Sequence, residues 1–222
     1  VVVIGAGPAG LSFARALSAG AASAGQSPLS VALIESQPEA TLASPAFDGR
    51  EIALTHLSAR LLRELGMWDR FPVDAVSPLR DAKVLNGLSL HGMNIEHRHG
   101  NKEELGYLVS NHLIRKAAYE MVKDSPNVTL ICNAKVTDLR TDADGGHVTM
   151  ADGTTLRASL LVAADSRFSA ARRAMGISAR MHDFGKVMMV CQMEHDEPHE
   201  HVAWEWFDYG QTLALLPMNG NR

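Results

Sequence analysis

The chain has 222 residues, 46% of them apolar and 21% charged, with a formal net charge of −4; this is ordinary soluble usage, enough for one large domain or one domain and part of a second. A mildly acidic balance with no basic tail removes the electrostatic reason to expect nucleic acid as a partner. No apolar run approaches the roughly 20 residues that span a bilayer, no secretory leader pattern is seen, and the two cysteines, Cys132 and Cys191, form neither a CxxC pair nor a disulfide framework, so a cytoplasmic protein is the expectation.

In chain order, "VVVIGAGPAGLSFARAL" reads as a buried strand, a glycine-rich turn and a helix with Leu11, Ala14 and Leu17 at helical spacing. The stretch "SAGAASAGQSPLS" at 18–30 is small and polar without periodicity, and "VALIES" returns as a second buried strand ending in Glu35. Strand, helix and strand make a parallel βαβ unit. Residues 53–65, "ALTHLSARLLREL", predict a helix with Leu54, Leu57, Leu61 and Leu65 on its inner face and Gly66 as the stop. Residues 80–98 mix short alternating runs with Gly and Asn and read as strands and turns. "NHLIRKAAYEMVKD" predicts a helix opened by Asn111 as N-cap, with Ile114, Ala117, Ala118, Met121 and Val122 facing inward. A strand "VTLICNAKV", a hairpin "HVTMADGTTLRA" turned at Asp152 and Gly153, and a strand "SLLVAAD" follow. Beyond residue 181, "KVMMVCQME", "VAWEWF" and "TLALLPM" read as three β-runs.

The expected fold class is therefore α/β: a Rossmann-like, mostly parallel dinucleotide-binding domain over 1–178, then part of a mostly β domain over 179–222, which 80–98 is a candidate to join. The sequence opens without Met and stops in mid-pattern, so it reads as a piece of something longer.

The motif with the most chemistry is "GAGPAG", Gly5 to Gly10, with Pro8 and Ala9 opening the helix. In such a loop the first glycine permits the tight turn, the second lets backbone approach a diphosphate, and the third lets helix and strand pack closely, with helix N–H groups aimed at the anion. Glu35, at the end of the next strand, can accept hydrogen bonds from ribose hydroxyls. NAD and FAD both fit, and the carboxylate disfavours a ribose 2′-phosphate in this pocket. A glycine turn kept for packing alone is the competing reading.

"VVVIGAGPAGLSFARAL", "FDGREIALTHLSARLLRELGMWDRF", "LGYLVSNHLIRKAAYE" and "LLVAADSRFSAARR", taken in order, resemble the class A flavoprotein aromatic monooxygenases, and within them the ubiquinone-biosynthesis hydroxylases. "ALLPMNGNR" is similar to a central strand of that family's substrate domain. The resemblance implies that Gly5, Gly7, Gly10 and Glu35 hold the ADP half of FAD, that Arg50 reaches the phosphate and ribityl region, and that Asn111 lies near the diphosphate. It also implies that the backbone at Val136 meets the adenine and that Asp165 is a second flavin-contacting carboxylate. Local patterns explain several of these residues without a cofactor: Arg50 as a solvated loop residue, Asn111 as a helix cap, Val136 as a core valine, Asp165 with Ser169 as a cap for the helix carrying Arg172 and Arg173.

Two departures from the family's usual "GADG" are visible. Ala163 replaces the first glycine, and Ser166 replaces the glycine after Asp165, which predicts strain if that residue takes a positive φ. The family's later "GD" motif is absent and is expected beyond Arg222, so this chain carries the flavin site only in part.

The activity implied is hydroxylation of a phenol or quinol ring, polyprenylated and on the route to ubiquinone, with NAD(P)H and O₂, through a flavin C4a-hydroperoxide. Because the cofactor carries that chemistry, no catalytic side chain is named; His56 reads as a surface residue of its helix. The resemblance further implies access to the inner-membrane surface and a biosynthetic assembly; a homo-oligomer stays open as a partner expectation. An NAD-linked dehydrogenase and a non-catalytic flavin-fold scaffold are the alternatives. His195, His199 and His201, among acidic neighbours around Pro198, read as a solvated turn and not as a metal site. Trp204 and Trp206 share one sheet face and read as core.

Overall fold

The computed structural model describes residues 1–23, 27 and 29–222. By contacts the chain divides into two compact units, Val1–Ala46 with Ile114–Val187, and Phe47–Leu113 with Met188–Arg222. Each is built from its own sheets.

The first unit opens on β1 (Val2–Ile4), α1 (Pro8–Ser23), β2 (Val31–Ile34) and the short α2 (Glu39–Ala43). The helix runs further than the apolar spacing suggested, into the small-residue stretch at 18–23, because alanine and serine do not oppose a helix already nucleated. The remainder of that stretch, at 24–26 and 28, lies outside the described residues.

In the second unit come β3 (Glu51–Leu54), α3 (His56–Glu64), β4 (Val76–Leu79), β5 (Asp81–Asn86), β6 (Met93–Glu96) and β7 (Gly106–Ser110). After α4 (Asn111–Lys123), the first unit continues with β8 (Val128–Ile131), β9 (Val136–Asp142), β10 (Gly145–Met150), β11 (Thr155–Ala158), β12 (Leu161–Ala163) and α5 (Ala170–Ala174). The second closes with β13 (Val202–Asp208) and β14 (Gln211–Leu215).

The parallel sheet of the first unit has the order β12-β1-β2-β8, with Ile4 opposite Ile34 on one side and Ala163 on the other. Alternation along these strands divides their side chains between two cores. Val2, Ile4 and Ile34 pack with Leu139, Val148 and Met150 of the antiparallel β11-β10-β9 sheet and with Ala171. On the other face Val3 and Leu33 are fully buried, and α1 contacts β1, β2 and β8. The hairpin at Asp152 and Gly153 forms as its turn residues predict. The helix expected from Asn111 forms too, with Ile114, Ala117, Ala118 and Val122 buried and Met121 only partly so.

The second unit holds two sheets, β3-β7-β4 and β14-β13-β5-β6. The latter joins residues 81–96 with 202–215, β5 running parallel to β13. Three expectations are corrected here. The helix expected over 53–65 begins at His56, because Ala53 and Leu54 pair with Leu108 and Tyr107 in a strand and Thr55 caps the helix from its hydroxyl. Its apolar stripe is not inner: Leu57 and Leu61 are 54% and 46% exposed while Ala59 is buried. "KVMMVCQME" forms no strand, since no neighbouring edge pairs with it, and Val187 and Met189 stand 98% and 89% exposed. Trp204 and Trp206 share a face but are 37% and 41% exposed, half-covered sheet residues and not core.

Candidate functional site

The glycine loop sits where β1 ends, with β2 and β12 as its neighbours, at the carboxyl ends of parallel strands where open α/β sheets bind ligands. Gly5 takes φ +101°, and a side chain there would strike the backbone oxygen of Ala164 at 2.4 Å and Cα of Asp165 at 2.8 Å. A Cβ on Gly10 would lie 1.9 Å from the carbonyl oxygen of Gly5. Both are glycine because the loop, the helix and the β12 tip are in mutual contact. Gly7 is different: a Cβ there would meet nothing within 4 Å. Open space in front of the second glycine, beside the first turn of α1, is the room a diphosphate needs. Pro8 occupies the first helical position, where its missing N–H costs nothing, and Ala9 is exposed beside it.

Two carboxylates flank this loop. Glu35, at the tip of β2, accepts from Ala6 N–H at 2.8 Å through one oxygen and from Gln37 N–H at 2.9 Å and the Ser36 hydroxyl at 3.1 Å through the other. It stays partly exposed, and lone pairs remain for ribose hydroxyls.

Asp165 follows β12. It accepts from the Ser169 hydroxyl and from Ala171 N–H at 3.0 Å. Burial alone raises its pKa, but these bonds to the charged form outweigh that and hold the carboxyl below the ordinary range. A depressed carboxyl stabilises the fold above its unfolded pKa, and the contribution vanishes as pH falls through the folded value. Asp165→Asn is therefore expected to lower stability by about 0.5–2 kcal/mol at neutral pH and to flatten the loss of stability in acid, as measured by thermal melts across the acid range.

Ser166 adopts φ +119°, a region that favours glycine. The strain expected from the sequence is present, on the order of 1–3 kcal/mol. Its hydroxyl accepts weakly from Phe168 N–H at 3.3 Å. Ser166→Gly is expected to raise stability by about 1–2 kcal/mol, read as a higher unfolding midpoint in denaturant.

Val136 starts β9 and packs, partly buried, against the core of Ile4, Ile34 and Leu139. Gly5, Gly7, Pro8, Ala9, Gly10, Glu35, Val136 and Asp165 thus all belong to the first unit.

In the second unit, Arg50 and Asn111 meet on a residue the motif reading passed over. Asp48 accepts from Arg50 Nε at 2.9 Å and from Asn111 Nδ2 at 2.7 Å, while Asn111 N–H donates to the carbonyl of Arg50 at 2.9 Å. The Arg50 side chain holds the Asp48 carboxyl down at about 2, against some opposition from burial and with help from Asn111. Asn111 therefore does more than open a helix. Next to it Glu51 and Ser110, a cross-strand pair, share a hydrogen bond; burial pushes the Glu51 carboxyl up, against the Ser110 hydroxyl and the nearby His112.

His56 is not a plain surface residue. It is partly buried, with Nε2 2.9 Å from the Glu104 carbonyl and its ring edge-on to Tyr107. His199 donates from Nε2 to the carbonyls of Met218 at 2.7 Å and Gly220 at 2.8 Å, and its Nδ1 accepts from His201 N–H. It fastens two loops together. Among the described residues no group of three or more His, Cys, Asp or Glu is placed to hold a metal ion, and no helix is long and apolar enough to cross a membrane.

Ubiquinone hydroxylase UbiM of Neisseria meningitidis is 47% identical to this chain over 222 residues, 98% of this chain and 47% of that protein. Ubiquinone hydroxylase UbiL of Rhodospirillum rubrum is 36% identical, over 100% of this chain and 50% of its own length. The chain thus spans about half the length of these relatives. Among solved structures, a variant of Pseudomonas aeruginosa PqsL superposes with a TM-score of 0.73 at 15% identity, covering 99% of this chain and 57% of that one, a likeness of fold. A family model described as "FAD binding domain" matches residues 1–222, and the chain belongs to that family.

Proposed function

We propose that this chain holds FAD for an aromatic hydroxylase of ubiquinone biosynthesis. The reading is carried by the open space at Gly7, in a loop whose Gly5 and Gly10 tolerate no side chain and which the carboxylates of Glu35 and Asp165 flank. The relatives' names, both ubiquinone hydroxylases, support a substrate on the route to ubiquinone, which we take to be a phenol or quinol ring bearing a polyprenyl chain.

In this reading the N–H groups of the glycine loop and the first turn of α1 receive the diphosphate. Glu35 accepts from the adenosine ribose and repels a 2′-phosphate, the Val136 backbone lies along the adenine, and Asp165 accepts from a ribityl hydroxyl. Arg50 and Asn111, held by Asp48 within the second unit, are the residues that the family resemblance gives to the phosphate and ribityl region. FAD held by these residues would supply O₂ activation with NAD(P)H as the two-electron reductant, one oxygen atom going to the ring and the other leaving as water. The protein contributes binding, orientation and a dry site. Residues 1–178, leaving aside 80–98, serve FAD binding in this reading, and 179–222 with 80–98 serve the substrate side. A prenylated quinol resides in lipid, so the reading also brings the protein to the surface of a membrane.

Purified protein is expected to be yellow, with flavin released as FAD on denaturation, and to oxidise NAD(P)H faster when a prenylated phenol is added, giving a product heavier by one oxygen. NADH binding by a colourless protein that takes up no FAD overturns the reading.

A further inference from the structure

The sheet β14-β13-β5-β6 ends in two neighbouring turns whose composition is unusual. The turn between β5 and β6, "NGLSLHG", carries Leu88 and Leu90 at 97% and 99% exposure, and the turn between β13 and β14 carries Tyr209 at 98%. Turn tips normally hold polar residues, and full exposure of three large apolar side chains at one end of one sheet is the kind of surface that marks a contact site.

The two tips are fixed to one another. Gly87 N–H donates to the carbonyl of Phe207 at 2.7 Å, and the Trp206 indole N–H donates to the carbonyl of Gly87 at 3.0 Å. Leu88, Leu90 and Tyr209 are thus presented together on tips joined by two hydrogen bonds.

We propose that these paired tips insert shallowly into the interfacial region of a lipid bilayer. The tip backbone is prepared for a poorly hydrated surrounding, where an unpaired N–H is costly. Ser89 N–H reaches the Asn86 carbonyl at 3.1 Å, His91 N–H the Ser89 hydroxyl at 3.2 Å, and Tyr209 N–H the Asp208 carboxylate at 2.7 Å. Tyrosine has an apolar ring and a polar end, which suits the headgroup boundary. Leu88 and Tyr209 border one open hollow together with Asn86, Gly87, Ser89 and Asp208, a lining too polar for the shaped apolar pocket of a protein hot spot, so the tips fit a soft interfacial medium better.

Charge narrows the lipid. Residues 84–95 and 204–215 contain no Lys or Arg, and Glu205 and Asp208 are acidic, so the attraction is apolar and not directed at anionic headgroups. The choice of lipid over protein rests in part on the hydroxylase reading; the exposed surface does not.

The test is co-sedimentation of the FAD-loaded protein with vesicles of phosphatidylcholine alone and of phosphatidylcholine mixed with phosphatidylglycerol. Wild-type protein is expected to bind both equally, with binding kept in about 0.5 M salt, and L88S/L90S/Y209S is expected to lose at least about tenfold in partitioning with flavin content and thermal midpoint unchanged. Three results overturn the proposal: no sedimentation of the wild type, binding confined to the anionic vesicles and lost in salt, or a wild-type dimer in the absence of lipid that the triple substitution dissolves. A flavin-loaded, active protein that ignores vesicles refutes the membrane contact and leaves the hydroxylase reading standing, whereas a protein that binds vesicles but takes up no FAD does the reverse.

Discussion

Gly7→Val is expected to yield a folded protein that no longer retains flavin, whereas Gly10→Ala is expected to fail at folding itself. The two glycines lie three residues apart in one motif, and the difference comes from what a side chain would meet. At Gly10 the new methyl would sit 1.9 Å from a backbone oxygen that cannot swing aside, so α1 and the β1 loop must separate. Overpacking of this kind costs at least about 3 kcal/mol, a large share of the roughly 5–15 kcal/mol that holds a domain together. At Gly7 the nearest atoms are more than 4 Å away, and its φ lies outside the left-handed range, so the stability cost of valine stays near about 1 kcal/mol. The branched side chain then fills the space proposed for the diphosphate and pushes it off the helix N-terminus. A loss of about 100-fold or more in FAD affinity follows, corresponding to about 2.7 kcal/mol. Circular dichroism melts and flavin titration of the two variants separate the effects. Retention of FAD by folded Gly7→Val protein would remove the diphosphate from this loop.

The βαβ unit was legible because two independent signals agreed there. Apolar runs gave the strands, and glycines at fixed spacing gave a turn that strand-to-helix geometry requires. α4 was legible from the inward spacing of Ile114, Ala117, Ala118 and Val122, all of which are buried. The same periodicity misled at α3. A stripe shows which residues share a face, and Leu57 with Leu61 do, but it does not show that the face is covered. "KVMMVCQME" failed for a related reason: β propensity expresses fitness for a sheet, while a strand exists only where another edge offers hydrogen bonds.

At the site, Asp165 was readable as a carboxylate at a strand tip, and the strain at Ser166 followed from the missing glycine. Asp48 was not readable. Two residues before an arginine it looks like a turn former, and its partner Asn111 is 63 residues away, a separation at which spacing carries no information. The segment "DGR" held a local clue, since an aspartate at i can receive the N–H and side chain of i+2, as it does here.

That missed residue gives the second large expectation. Asp48→Ala is expected to weaken FAD binding by about tenfold, because Arg50 and Asn111 lose the carboxylate that aims them. Arg50 uses Nε and one terminal nitrogen on Asp48, which leaves donors on the other terminal nitrogen for a phosphate. In stability the depression of Asp48 from 3.8 to about 2 corresponds to at most about 2.4 kcal/mol. The Arg50 side chain is 53% exposed, so solvent screening brings the net value nearer about 1 kcal/mol. The sign is that of a lowered acid: the contribution is complete above pH 3.8 and disappears as pH falls toward 2. Wild type and Asp48→Asn should therefore differ in melting temperature at pH 5 and draw together as pH falls toward and below about 2, the pH at which half of the wild-type carboxyl is protonated. If Asp48 instead competes with the phosphate for Arg50, its removal tightens FAD binding, and the carboxylate is then a brake on the cofactor site and not its support.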